Sequence, residues 1–235
     1  ASINYHLLFW VDGATSISAA LLLVIILPGN LSQTKMNKQA KIERPTDAKL
    51  SSSAFKDSSF LFFLGFIILF ASCFFQLFTT VPVFFKEKLN LNEFQIGVVM
   101  AVNGIIIAVF EMLLVFKLEG RRPYLLLITI GSIMMSIAFI MLNIPLSNGF
   151  IVALMAVFML TIAEMVSMPF MNSFYINRTN VYNRGQFAGL YTMAWSAAQV
   201  IGSSTGSILA HNLGFFYLWF LITGVCLIAA FGFYW

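Results

Sequence analysis

Charge is what this sequence has least of: Asp, Glu, Lys and Arg make up 9% of its 235 residues, where a soluble globular domain carries about 25%. That scarcity excludes a water-facing surface over most of the chain. With 60% hydrophobic residues, the class is an all-α integral membrane protein. Strand-like alternation is missing throughout, which excludes a β architecture. Histidine and cysteine occur twice each. His6 and His211 fall near the ends of apolar runs, and Cys73 and Cys226 fall inside such runs without metal-ligand spacing. They read as interfacial rings and packed thiols, so no metal and no cofactor are expected. Paired carboxylates at one depth, a histidine cluster and a Ser/His arrangement are also absent, which argues against an enzyme.

What the chain does have is long apolar runs, at residues 7–28, 60–85, 94–116, 123–143, 149–175, 186–210 and 215–235. Each is long enough to cross ~30 Å of hydrocarbon at about 1.5 Å per residue. The first is too long for a signal-peptide core and has no basic region ahead of it, so it reads as a span. Seven transmembrane helices are predicted, joined by short turns at Asn90, Gly120, Pro145, Asn148, Gly185 and Asn212. The chain opens on Ala1 with only a few residues ahead of the first run, from which further chain is expected upstream.

Residues 29–59 are the one long polar stretch. They carry the bases Lys35, Lys38, Lys41, Arg44, Lys49 and Lys56 against the acids Glu43, Asp47 and Asp57. Alternating the spans puts this loop on the same side as 117–122 and 176–185, and together they hold eleven of the thirteen Lys and Arg. Lys86 and Lys88 fall on the other side. The positive-inside rule then makes residues 29–59 and the C-terminus cytoplasmic, in the cell membrane. The net charge of +4 is thus a membrane-topology signal, and no nucleic-acid partner is expected. The sequons at Asn30 and Asn177 would face the cytoplasm and read as chance matches.

Three acids lie inside spans, and no base does. Asp12 is little more than a turn from the outer end of the first. Glu111 is six residues before Lys117, or ~9 Å, within reach of Lys117, Arg121 or Arg122. Glu164 lies ~24 and ~21 Å along its helix from Asn148 and Arg178, at mid-membrane. A lone carboxylate there costs at least ~2.5 kcal/mol, and such groups mark substrate or proton pathways. Thr161, Met168, Met171 and Tyr175 share its helical face, with Pro169 loosening the backbone beside them. Five of the twelve methionines lie between Met155 and Met171, and flexible Met beside aromatics and an acid suits apolar or cationic ligands. In the second span Ser72, Gln76 and Thr80 form a polar stripe, expected to face a cavity. Small-residue seams run along the third span (Gly97, Ala101, Gly104, Ala108) and the sixth (Ala194, Ala198, Gly202, Gly206, Ala210). Both are expected to pack against close partners, including helices outside this chain.

Several stretches together resemble the major facilitator superfamily. Tyr5-His6-Leu7-Leu8-Phe9-Trp10-Val11-Asp12-Gly13 looks like the entry to that family's sixth helix. Gln76-Leu77-Phe78-Thr79-Thr80-Val81-Pro82 resembles its seventh, and Gln95-Ile96-Gly97 through Asn103-Gly104 its eighth. Lys117-Leu118-Glu119-Gly120-Arg121-Arg122 is similar to the second copy of its cytoplasmic Asp-Arg-x-Gly-Arg-Arg motif, with Glu119 in place of Asp. Glu164 with Pro169, Arg184-Gly185 and Gly189-Leu190-Tyr191 resemble the tenth and eleventh helices of the drug/proton antiporter branch. Gly202-Ser203-Ser204-Thr205-Gly206 is similar to the antiporters' Gly-Pro-x-x-Gly but has Ser for Pro.

The resemblance implies the sixth to twelfth helices of a twelve-helix transporter. Residues 1–28 would be the last helix of the first bundle, 29–59 the cytoplasmic linker and 60–235 the second six-helix bundle. It implies proton-coupled efflux of small apolar or cationic compounds by alternating access, with the missing first half, protons, substrate and bilayer as partners. The implied cavity residues are Glu164, Thr161, Met168, Met171, Tyr175, Gln76, Thr80 and Asn103. Glu111, Glu119, Arg121 and Arg122 would gate the cytoplasmic loop, and Gly97, Gly104, Gly202 and Gly206 would pack helices. The alternatives are an uptake carrier for a sugar or other small metabolite, and a seven-helix receptor. The receptor has less behind it: there is no Asp-Arg-Tyr after the third span, no Asn-Pro-x-x-Tyr in the last, and no intramembrane Lys for a retinal Schiff base.

Overall fold

The computed structural model describes residues 53–145, 148–180 and 182–235, and before them positions 10, 13–15, 17, 18, 21 and 22. The chain divides into two units, Ala1–Leu50 and Ser51–Trp235. Of the first unit, the described positions are helical. The rest of the first expected span, Asp12 and the polar stretch up to residue 52 lie outside the described residues.

In the second unit a short 3-10 turn, Ala54–Lys56, leads into seven helices. They are α1 (Ser58–Phe74), α2 (Thr80–Glu87), α3 (Glu93–Leu118), α4 (Tyr124–Met141), α5 (Gly149–Asn177), α6 (Arg184–Leu213) and α7 (Phe215–Tyr234). Five stretches are long and apolar enough to cross a membrane: Ser58–Glu87, α3, α4, α5 and α7. The expected span at 186–210 forms a 30-residue helix, α6, but falls outside that group. Its interior is rich in Gly, Ser, Thr and Gln, which costs apolarity while leaving length. With most of the first span outside the described residues, the chain is a multi-pass helical membrane protein with five such helices among those described.

The stretch predicted as one helix over 60–85 is interrupted. After α1 comes a 3-10 turn, Phe75–Leu77, and α2 restarts at Thr80. Pro82 is the cause. It has no N–H, and its ring would clash with the carbonyl four residues back, so it is tolerated in a helix's first turn. Restarting at Thr80 gives it that place. Pro169 in contrast sits inside α5, which continues past it.

Local signals fix the helix starts. Asp57 caps α1 by accepting from the Phe60 N–H at 3.0 Å. Asn92 and Gln95 form a capping box on α3, and Asn148 accepts from the Phe150 and Ile151 N–H groups at the start of α5. Between α3 and α4 the chain turns at Gly120, whose φ of 72° suits the missing side chain.

The core lies among α1, α4, α5 and α7. Fully buried Trp219 packs against Phe84, Phe139 and Phe215. Helices α4 and α5 approach closely at Gly131, where a Cβ would meet the Ala163 carbonyl at 2.8 Å and the Ser167 hydroxyl. Helix α3 stands at the edge: Val99 and Asn103 are its buried residues, and both face the bundle.

The two small-residue seams have different fates. In α6, Ala194, Ala198, Gly202 and Gly206 are buried, and their partner is α1 of the same unit. A Cβ on Gly202 would stand 2.6 Å from the Ser72 carbonyl oxygen, and one on Gly206 would meet the Gln76 side chain. The expectation of an outside partner for this seam is therefore corrected. In α3, Gly97, Ala101, Gly104 and Ala108 are exposed, and no atom lies within 4 Å of a Cβ placed on Gly97 or Gly104.

Candidate functional site: an acidic cleft between α3, α5 and α6

Glu164 occupies the middle of α5, and its environment is built from the facing side of α3. Asn103, buried on α3, donates its Nδ2 to Thr161 Oγ1 at 2.9 Å and approaches Glu164 Oε2 at 3.5 Å. The Thr161 hydroxyl in turn donates to the Val157 carbonyl at 2.7 Å. One amide therefore ties a buried hydroxyl and a half-buried carboxyl of α5 to α3. The two amide protons of Asn103 make this arrangement possible.

Beside this triad lies a cleft of about 510 Å³. Helix α3 contributes Glu111, α5 contributes Met168, Pro169 and Asn172, and α6 contributes Tyr191, Thr192 and Trp195. Met168 stands one turn beyond Glu164 on the same face of α5. Glu111 is the acid that lines this space, and Glu164 lies one turn from its Met168 wall. Its far wall is aromatic: the Tyr175 ring lies 4.6 Å from Tyr191, and Tyr191 lies 6.2 Å from Trp195. The Trp195 Nε1 is buried without a hydrogen-bond partner among the described residues. Pro169 at the wall leaves the carbonyl four residues earlier without its helical donor. Chemically, the cleft offers an acid for a cation or proton, ring faces for cation–π contact, and an amide and hydroxyls for polar groups.

The structure brings together Glu164, Thr161, Asn103, Met168, Tyr175 and Glu111 from the residues singled out in the sequence. It places the others elsewhere. Met171 is fully buried in the core. Gln76 and Thr80, expected at a cavity, lie between α1 and α6. Gln76 Nε2 donates to the Gly202 carbonyl at 2.7 Å, and Thr80 Oγ1 donates to Gln76 Oε1 at 2.6 Å. Their polarity is consumed in joining two helices.

Glu111 also departs from expectation. The ion pairs among the described residues are Lys86–Glu93 and Arg178–Asp57, and none joins Glu111 to Lys117, Arg121 or Arg122. Six residues carry Lys117 well around α3 from Glu111, whereas Asn103 and Glu111, eight apart, share a face. Glu119, Arg121 and Arg122 are exposed around the Gly120 turn. Asn172, Thr192 and Trp195 escaped the sequence analysis, and Tyr191 entered it only within Gly189-Leu190-Tyr191. For α6 the available signal was the row of aromatics at every fourth residue, Phe187, Tyr191 and Trp195.

The sequence profile of the Major Facilitator Superfamily matches residues 1–203. No curated protein matches the chain. Among solved structures the chain is similar to a POT family transporter crystallised in complex with 5-aminolevulinic acid. The TM-score is 0.64 at 16% identity, over 97% of this chain and 52% of that one, so the chain spans about half the length of that transporter.

Proposed function

Because this chain belongs to the Major Facilitator Superfamily, we propose that it is the second half of a secondary active transporter, the sixth to twelfth of twelve helices, exporting small apolar or cationic compounds in exchange for protons. Residues 1–28 end the first bundle, 29–59 form the cytoplasmic linker, and 60–235 form the second bundle. The supporting observation is an aromatic-walled cleft lined by Glu111, whose α5 wall begins at Met168, one turn beyond Glu164, with Asn103 of α3 approaching the Glu164 carboxyl. In this reading Glu164 exchanges a proton for a cationic or polar ligand as the cleft opens to either side. Glu111 meets the ligand at the cleft, and the Glu119–Arg121–Arg122 turn gates the cytoplasmic end. The exposed α3 seam is where the first bundle packs, as small residues allow close approach.

The test is proton movement in vesicles reconstituted with the full-length transporter. Adding a lipophilic organic cation to one side should drive saturable proton counterflow. Saturable binding with no proton movement would sink the antiporter reading. A second reading, an uptake carrier for a small polar metabolite, is favoured by Asn172, Thr192 and Tyr191 at the same cleft. Counterflow and co-directional flow of protons separate the two.

The orientation has its own check. The described bases cluster at the end holding Lys117, Arg121, Arg122, Arg178 and Arg184. A cysteine at exposed Tyr182 should therefore resist an impermeant thiol reagent in intact cells, and one at exposed Lys88 should react. The native thiols, Cys73 and Cys226, are buried and should give no background. Labelling at Tyr182→Cys without permeabilisation would invert the topology.

A further inference from the structure

A second cavity of about 480 Å³ opens at the basic end of the bundle, lined by α1, α4, α5 and α7 and sharing no residue with the cleft. Its walls are mostly aromatic: Phe62, Phe63, Phe66, Phe174 and Phe233. Two polar side chains line it, Ser59 in the first turn of α1 and Arg178 at the end of α5. Phe62 is 71% exposed, so the cavity opens outward from the bundle. In a membrane, an apolar space of this kind at the surface fills with the surrounding lipid. Any preference among lipids comes from the headgroup.

Arg178 is set up to make that choice. Its guanidinium lies 5.1 Å from the centre of the Phe174 ring, itself a wall of the cavity. Its approach to Asp57 Oδ2 is 3.7 Å, too long for a hydrogen bond. The other Asp57 oxygen already caps α1. Guanidinium donors suit a phosphate bidentately. Around the cavity the same end of the unit carries Lys56, Lys117, Arg121, Arg122 and Arg184, with Asp57 and Glu119 as its acids. The field there favours an anion.

We propose that this cavity binds one anionic phospholipid, an acyl chain among the phenylalanines and the phosphate on Arg178 with Ser59 beside it. Native mass spectrometry of the full-length protein tests this, with phosphatidylglycerol, phosphatidylcholine and glycerol 3-phosphate as probes. One phosphatidylglycerol should be retained, and Arg178→Gln should weaken retention by roughly tenfold or more, the scale of a charge-assisted contact. Arg178→Lys should recover part of it. Leu125→Trp fills the cavity from α4 and leaves the arginine in place; it should also release the lipid, which keeps the test open if Arg178→Gln folds poorly. Equal retention of phosphatidylcholine, equal binding of glycerol 3-phosphate, or retention unchanged in both variants would each overturn the assignment.

Discussion

Glu164→Gln in the full-length transporter is expected to bring substrate-driven proton flux down to that of protein-free vesicles, with expression and thermal stability near wild type. Gln has the shape of Glu, and its carbonyl oxygen can still accept from Asn103 Nδ2, which now approaches the carboxyl at 3.5 Å. The Asn103–Thr161 bond at 2.9 Å is untouched. What disappears is the capacity to gain and lose a proton. That capacity is the only strong reason to keep an acid where its charged form costs ~2.5–3.5 kcal/mol. Glu111→Gln makes a useful comparison. It changes the acid that lines the cleft, and should weaken capture of a cationic ligand while proton coupling survives. Wild-type flux with unchanged pH dependence in Glu164→Gln would make Glu164 a structural hydrogen-bond acceptor.

The sequence revealed the helices more fully than it revealed their neighbours. Apolar runs are local, and the helices from residue 58 onward begin and end close to those runs, apart from the interruption before Pro82 in the stretch predicted as one helix over 60–85. Glu164 was legible because an acid at mid-span is rare against an apolar background. Asn103 could not be ranked as its partner, because a wheel drawn on α5 says nothing about which helix lies across from it. The same limit misplaced Gln76 and Thr80. A polar stripe running from α1 through the turn into α2 fits a cavity wall and a helix joint equally well, and only the position of the Gly202 carbonyl decides between them. Small residues were just as ambiguous: the α3 and α6 seams read alike, yet one is exposed and the other is packed against Ser72. Tyr191 and Trp195 were hidden for a related reason. Aromatics are common in membrane helices, and their meaning here comes from Glu111 across the cleft.

Gly202→Ala is the second substitution with a large expected effect, and it acts on stability. The added methyl would stand 2.6 Å from the Ser72 carbonyl oxygen and 2.8 Å from its Cα. These are backbone atoms, so no side chain can swing aside, and α1 and α6 must separate. Separation stretches two bonds that cross the joint, Gln76 Nε2 to the Gly202 carbonyl at 2.7 Å and the Ser72 hydroxyl to the Ala198 carbonyl at 3.3 Å. Overpacking and weakened hydrogen bonds together should cost about 2–4 kcal/mol, read as a lower Tm in detergent. Gly206→Ala meets the Gln76 side chain instead. That side chain can move, but only by leaving Gly202 and Thr80, so a smaller loss is expected. Gly97→Ala and Gly104→Ala meet nothing within 4 Å and should leave Tm unchanged. A fall in transport in those two variants without a fall in Tm would locate the contact of the other bundle on α3. An unchanged Tm in Gly202→Ala would mean that α1 and α6 do not pack this closely, and that Gln76 is free to face a cavity after all.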